Sequence, residues 1–354
     1  MYDEIFVSAL GISFVLIFSW AFRTLPQEQW QILAVAPLAK DRDQNWQGLN
    51  ITYYGLFIAL ATVASVAILL VLKSAIGLQV TTIFLLAILI MVIGLTASKV
   101  IASLVENKRH TFTIAGACFS GVFIVPPAIW LLDHLNMAAP YKLPAIPLMA
   151  AIAIAYSIGE GLGRLACISF GCCYGKPLSD CPPSIVRFLG KYVFVFYGKM
   201  KKIAYESGLD GERVVPVQGI TALLYVTIGL FAIWLFLKGL FGSALILTMI
   251  STQCWRVLSE TLRADYRGHR KFTAYQIMAL VSMPYVVLIT SLFNGLPSPL
   301  PDIKTGVEAL WDPGVILFLQ IAGLVTFLWT GRSMVTASTI SFRILKDKIL
   351  VGQI

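Results

Sequence analysis

Nine stretches of roughly twenty mostly apolar residues run through this chain, and no other feature constrains its fold as strongly. They fall at about residues 4–22, 51–73, 80–104, 112–133, 145–166, 215–237, 242–262, 273–293 and 312–331. A helix needs about 20 such residues to cross a bilayer, where every backbone N–H and C=O must be satisfied within the segment. The spacing therefore predicts an all-α, polytopic membrane protein with about nine transmembrane helices. Charged residues make up 13% of the 354 and hydrophobic residues 58%. That is about half the charge of a soluble domain, and it excludes disordered, collagenous and coiled-coil chains. The first stretch opens on Asp3 and Glu4 and has no small-x-small cleavage site before Pro26, so it reads as a retained span rather than a signal peptide. Pro126-Pro127 predicts a kink in the fourth. No internal repeat or low-complexity segment is visible.

The charges are unevenly placed. Of 27 Lys and Arg, only Lys73, Lys142, Lys238 and Lys304 fall on one set of alternate connections, and the other 23 gather on the opposite side. The positive-inside rule puts that crowded side in the cytoplasm. The longest connection, Arg164 to about Val214, carries Arg164, Lys176, Arg187, Lys191, Lys199, Lys201, Lys202 and Arg213. Within it, residues 185–206 mix aromatics with lysine, which reads equally well as a segment lying on lipid headgroups or as a solvated basic loop. The net charge of +9 suits anionic headgroups, and no nucleic-acid motif accompanies it.

Ionisable residues inside spans are costly and mark candidate functional sites. Glu160 and Arg164 stand four apart on one helix face, with Gly159 and Gly163 as a small-xxx-small pair in the same turns. The plainer reading is a salt bridge beside a packing groove. Arg256, Glu260 and Arg263 stand at i, i+4 and i+7, a stripe of cation, anion and cation that an anionic ligand would complete. The plainer reading is an interfacial ladder of snorkelling arginines. Tyr53 and Tyr54, at a span edge, read on their own as interfacial anchors. Cys167, Cys172, Cys173 and Cys181 cluster in sequence, but there is no C-x2-C pair. They read as small apolar filler ahead of a disulfide, and no metal ligand set is expected. His110, His134 and His269 are too scattered for a metal signature.

Gly163-Arg164-Leu165-Ala166-Cys167, followed by Gly171-Cys172-Cys173-Tyr174-Gly175-Lys176-Pro177, resembles the signature of bacterial prolipoprotein diacylglyceryl transferase. The order of other landmarks is similar to that family's: Tyr53-Tyr54-Gly55-Leu56, Pro216-Val217-Gln218, Arg256-x-x-x-Glu260-x-x-Arg263 and Tyr275-Gln276. The resemblance covers about residues 50–293. It implies a seven-helix core there, including an interfacial loop at 167–214. Residues 1–49 would add an N-terminal span and loop, and 294–354 a C-terminal span and basic tail. It implies transfer of a diacylglyceryl group from phosphatidylglycerol, or a similar anionic phospholipid, to the thiol of a prolipoprotein lipobox. Glycerol phosphate leaves, no cofactor is needed, and the setting is the bacterial cytoplasmic membrane. Carried over by position, Arg164 and Arg256 would hold the phosphate, and Glu260 would orient Arg256 and Arg263. Tyr54 becomes a site residue through the resemblance. Glu160, Cys167, Gly175, Lys176, Gln218 and Arg263 would surround the substrate.

The chain departs from the family pattern at four places. Ala115-Gly116-Ala117 stands where the family has His-Gly-Gly, and Cys167 replaces an asparagine. Cys172-Cys173 replaces an acidic residue, and Thr221 replaces a glutamate. The phosphate grip is thus better kept than the thiol-activating groups, with Glu160 or His110 as stand-in bases. The alternative is a non-catalytic subunit of a membrane complex that holds a lipid or a partner on the same fold. A transporter is a weaker reading, because no inverted repeat is visible. Orientation stays open too, since the family places the signature loop on the periplasmic side, against the charge rule.

Overall fold

The computed structural model describes residues 1–78, 114–134, 143–265, 272–293 and 300–342, with a few further positions at 96–103 and 344–345. The expected span at 80–104 and the candidate base His110 lie outside the described residues. The elements follow in chain order: α1 (Tyr2–Thr24), β1 (Ile32–Lys40), β2 (Trp46–Thr52), α2 (Tyr53–Ala75), α3 (Ile114–His134), α4 (Ala145–Phe170), α5 (Pro183–Leu189), β3 (Phe194–Val195), α6 (Lys202–Ser207), β4 (Arg213–Val214), α7 (Val217–Leu237), α8 (Phe241–Leu262), α9 (Ala274–Phe293), α10 (Ile303–Glu308), α11 (Pro313–Thr330) and β5 (Arg332–Ile340).

The chain is a mostly helical, polytopic membrane protein. Among the described residues, six helices are long and apolar enough to span a bilayer: α1, α2, α4, α7, α9 and α11; α3 adds a shorter apolar stretch, Cys118–His134. α8 is as long, but Thr248, Ser251, Thr252, Gln253, Arg256, Ser259 and Glu260 make it more polar. It packs against α4, α7 and α9, so its polar face meets protein rather than lipid. The expected kink at Pro126-Pro127 leaves α3 helical from Ile114 to His134.

Side-chain caps set several boundaries. Thr52 accepts from the Gly55 N–H at the start of α2, and Asp312 accepts from Gly314 and Val315 at the start of α11, with Pro313 in the first turn. Thr273 and Gln276 form a reciprocal capping box ahead of α9, each side chain accepting from the other's backbone N–H at 3.2 and 3.0 Å. Gln276 also donates to the Val257 carbonyl at 3.0 Å, tying α9 to α8. α4 ends where Gly171 turns left-handed at φ +71°, and the Cys172 N–H returns to the Cys167 carbonyl at 3.1 Å.

α4 is the central helix, packed against α2, α7 and α8. Its apolar window is 83% buried, against 17% for α1 and 6% for α11, so the terminal spans are the lipid-facing ones. The small residues of α4 permit this, but not in the expected pairing. A Cβ on Gly159 would meet Ser65 Cβ of α2 at 2.7 Å, and one on Gly161 would meet Val226 Cγ2 of α7 at 2.8 Å. Gly163 has room, with its nearest neighbour at 3.9 Å. Gly161→Ala is therefore expected to cost about 1–3 kcal/mol through overpacking, and Gly163→Ala to be neutral or slightly stabilising. Paired thermal unfolding curves in detergent check the contrast.

Beside the helices, the described residues form two small antiparallel sheets, which the hydropathy pattern does not announce. β1, β2 and β5 pair in the order β1-β2-β5, joining the connection after the first span to the segment after the last. Asn50 and Ser338 hydrogen-bond across this sheet at 2.6 Å, and both the N–H and the hydroxyl of Thr52 donate to the Gly331 carbonyl. β3 pairs with β4 within the long loop. Both sheets sit at the helix ends that carry Leu25, Ser169 and Leu262.

The 185–206 segment is neither a continuous interfacial helix nor a plain solvated loop. Phe188, Tyr192, Tyr197 and Tyr205 are exposed beside Arg187, Lys191 and Lys199, whereas Phe194, Phe196 and Lys201 are buried. Lys201 donates to the Ser169 carbonyl at 2.6 Å and the Leu25 carbonyl at 3.2 Å, pinning the loop to the ends of α4 and α1. Burial pulls its ammonium down to about 7, with Glu28 opposing only in part. Between that value and the ordinary lysine value near 10, the unfolded chain binds a proton that the folded chain does not. Stability should therefore rise with pH across this window. Melting temperature against pH, for wild type and Lys201→Met, checks this; the rise should flatten in the variant.

Candidate active site

The centre of the site is a carboxylate held by two guanidiniums. Tyr156, Glu160 and Arg164 succeed one another at intervals of four on α4, so they share a face. That face meets Arg256 of α8. One nitrogen of Arg256 donates to both Glu160 oxygens, at 3.0 and 2.7 Å, and to the Tyr156 hydroxyl at 2.7 Å. Arg164 donates to Glu160 Oε1 in a short contact. All three charged side chains are at most 12% exposed, where an ion pair is stronger than at a surface and a lone charge far more costly. One carboxylate against two guanidiniums leaves the group one positive charge in excess. Among the described residues, the Nε atoms of Arg164 and Arg256 have no hydrogen-bond partner.

This corrects the expected pairing. Glu260 does not hold Arg256; Glu160 does. Glu260 stands 3.6 Å from Arg263, whose stronger partner is Asp265, at 2.6 and 2.7 Å in a two-pronged contact. Glu260 Oε2 has no partner among the described residues. Four of the cations counted towards orientation, Arg164, Lys201, Arg256 and Arg263, are thus engaged inside the fold. That narrows the basic excess on their side without reversing it.

The signature segment builds the frame. The Lys176 N–H donates to the Leu262 carbonyl at 2.9 Å, the Ala264 N–H to the Tyr174 carbonyl at 3.1 Å, and the Val215 N–H to the Lys176 carbonyl at 3.0 Å. Residues 174–177 therefore lie between the end of α8 and the approach to α7, with Gly175 bridged to Arg263. A Cβ on Gly175 would strike the Val215 carbonyl, which accounts for the glycine. Gln218 donates to the Cys172 carbonyl at 2.9 Å and fixes the turn after α4. The two tyrosines expected as anchors divide. Tyr53 packs on Trp30 and Phe57, while Tyr54 stands edge-on to Phe170 within the electrostatic reach of Arg164 and the cysteines.

Below the charged group lies an apolar cavity of about 240 Å³ between α3, α4, α8 and α9. Val122, Pro126, Met149 and Tyr285 are among its walls, and Tyr156 is shared, its ring lining the cavity while its hydroxyl meets Arg256. A cationic head joined to a greasy cavity matches the build of an anionic lipid.

A family model for prolipoprotein diacylglyceryl transferase matches residues 44–293. The chain belongs to this family. A comparison with individual curated proteins gives no match. The match contains the whole site, and it places the chain in a transferase family acting on lipid and prolipoprotein. Of the candidate residues, Arg164, Arg256 and Glu160 form one group, Arg263 and Glu260 an adjoining one, and Gly175, Lys176 and Gln218 the frame. Two polar participants were missed. Tyr156 stands one turn before Glu160 on the same face, a spacing that could have disclosed it. Asp265 lies just past the helix and becomes visible only once the chain turns.

The departures from the family pattern also take physical form. Thr221, at the family glutamate, accepts from the Trp255 indole N–H at 2.8 Å and ties α7 to α8. The cysteines are more than scattered filler: the Cys167, Cys172 and Cys173 sulfurs lie within 4.8 Å of one another, and the Cys167–Cys173 separation is 4.0 Å. Hydrogen bonding with Cys167 and Cys173, together with burial, pushes the Cys172 thiol well up. It is therefore a weak nucleophile at neutral pH.

Proposed function

We propose that this transferase moves the diacylglyceryl group of phosphatidylglycerol onto the cysteine thiol of a prolipoprotein lipobox, in the bacterial cytoplasmic membrane. The observation that carries this reading is the Arg164–Glu160–Arg256 group at the head of the apolar cavity. Acyl chain occupies the cavity, and the phosphate meets the guanidinium edges that Glu160 leaves unpartnered. The thiol sulfur attacks the glyceryl carbon; a C–S bond forms as the C–O bond to phosphorus breaks. The electron pair leaves on the phosphate oxygen, so a phosphodiester of charge −1 becomes glycerol phosphate of charge −2. Arg164 and Arg256 stabilise the charge gained, which is where fixed donors contribute most to rate.

The thiol must also lose its proton. Glu160 is committed to two guanidiniums and is a poor acceptor. Glu260, one turn from Arg256 and with no partner for Oε2 among the described residues, is the better placed base, and Arg263 with Asp265 holds the adjoining frame. The competing reading is a non-catalytic lipid-holding subunit of a membrane complex. It draws support from Ala115, Cys167 and Thr221 standing where the family has reactive or polar groups.

Purified protein in vesicles of phosphatidylglycerol, with a lipobox peptide, tests the two readings. Thioether formation, absent with phosphatidylethanolamine vesicles or a Cys→Ser peptide, is expected. An unreacted lipid retained with the protein, with no peptide product, would instead support the non-catalytic subunit.

A further inference from the structure

We propose that Cys167, Cys172 and Cys173 form a three-thiolate site for a soft d10 cation, copper(I) in particular, beside the lipid site. Three sulfurs bound to one ion at about 2.3 Å in a plane lie about 4 Å from one another. The Cys167–Cys173 separation is 4.0 Å, and all three sulfurs fall within 4.8 Å. The sulfurs thus stand within about 0.8 Å of that array.

The chain holds the sulfurs in this array by specific means. Cys167 sits in the last turn of α4 and is buried. Gly171, at φ +71°, reverses the chain, and Gln218 fixes the Cys172 carbonyl. Cys173 itself takes a left-handed φ of +57°, a conformation that non-glycine residues rarely adopt. This bends the adjacent cysteines back towards Cys167.

Charge favours the same ligand. Binding copper(I) releases three protons and leaves the three thiolates and the ion with a net charge of −2. Arg164 acts electrostatically on Cys167, Arg263 on Cys173, and Lys202 on both Cys172 and Cys173. These cations moderate that charge in part, because Arg164 is shared with Glu160, Arg263 with Asp265 and Lys202 with Glu206. Ligand chemistry then selects the ion. All-thiolate sets favour copper(I) and zinc, but structural zinc takes four ligands. No fourth Cys, His, Asp or Glu joins the group among the described residues. Cys181 is turned away, its thiol directed at the Pro177 carbonyl.

The test uses the full chain in detergent, reduced and kept free of oxygen, titrated with copper(I) against a chromogenic copper(I) chelator. One copper per chain is expected, with X-ray absorption showing three sulfur neighbours. Cys173→Ser should bind at least about 100-fold more weakly, a larger effect than the roughly 10–100-fold of losing an outer-shell group. Cys254→Ser, on an exposed thiol of α8, should bind as wild type does. If Cys173→Ser fails to fold, alkylation of wild type with and without copper(I) decides the matter: copper should shield Cys167, Cys172 and Cys173 and leave Cys254 open. Equal affinity in Cys173→Ser, zinc held in preference to copper(I), or copper that leaves the three cysteines unshielded would overturn the proposal. None of these readouts depends on turnover.

Discussion

Arg256→Gln is expected to lower the rate of diacylglyceryl transfer about 10²–10³-fold, the usual effect of removing one donor from a developing oxyanion. The loss should fall mainly on kcat. In the proposed reaction Arg256 would meet the phosphate in ground and transition states alike, but its charge would count most as the phosphodiester gains its second negative charge. The glutamine amide ends about where Arg256 Nε stands, short of Glu160, so the variant also loses the link of α8 to α4 through that carboxylate. Arg256→Lys should recover only part of the rate. A single ammonium cannot meet both Glu160 oxygens, the Tyr156 hydroxyl and a phosphate together. Steady-state kinetics with phosphatidylglycerol and a lipobox peptide separate kcat from KM.

The second large effect is on stability. Glu160→Gln leaves the Arg164 and Arg256 guanidiniums facing each other with no counter-charge, in a region where both are largely buried. Breaking a buried pair by removing one partner costs about 3–5 kcal/mol, and here one carboxylate serves two partners. The variant should unfold at clearly lower temperature. Glu260→Gln gives the informative contrast. Its Oε2 has no partner among the described residues, and its link to Arg263 is long at 3.6 Å. It should keep most of its stability and its KM while kcat falls. If Glu160→Gln proved as stable as wild type, the two-guanidinium reading of the site would be wrong.

Six of the nine expected spans, and the cations of the site, were legible in the sequence because each obeys a local rule. Twenty apolar residues announce a membrane helix, and a charge within one announces a site. Partnership was harder to read. On paper Glu260 is the natural counter-ion for Arg256, four residues away on the same helix. The actual partner, Glu160, is 96 residues distant and reaches Arg256 because α4 and α8 pack together. The β1-β2-β5 sheet was hidden for a similar reason. β5 pairs with a strand almost 290 residues earlier, and nothing in either segment alone specifies that match. The cysteine cluster depends on two left-handed residues, Gly171 and Cys173, and only the glycine hints at a turn. Lys201 counted as one more loop cation until its burial became visible.

The most direct test of the central claim is a count of products. Wild-type protein in phosphatidylglycerol vesicles, given a lipobox peptide, should release one glycerol phosphate for each thioether formed, and Arg256→Gln should slow both equally. Glycerol phosphate released without thioether, or Arg256→Gln turning over at the wild-type rate, would contradict it.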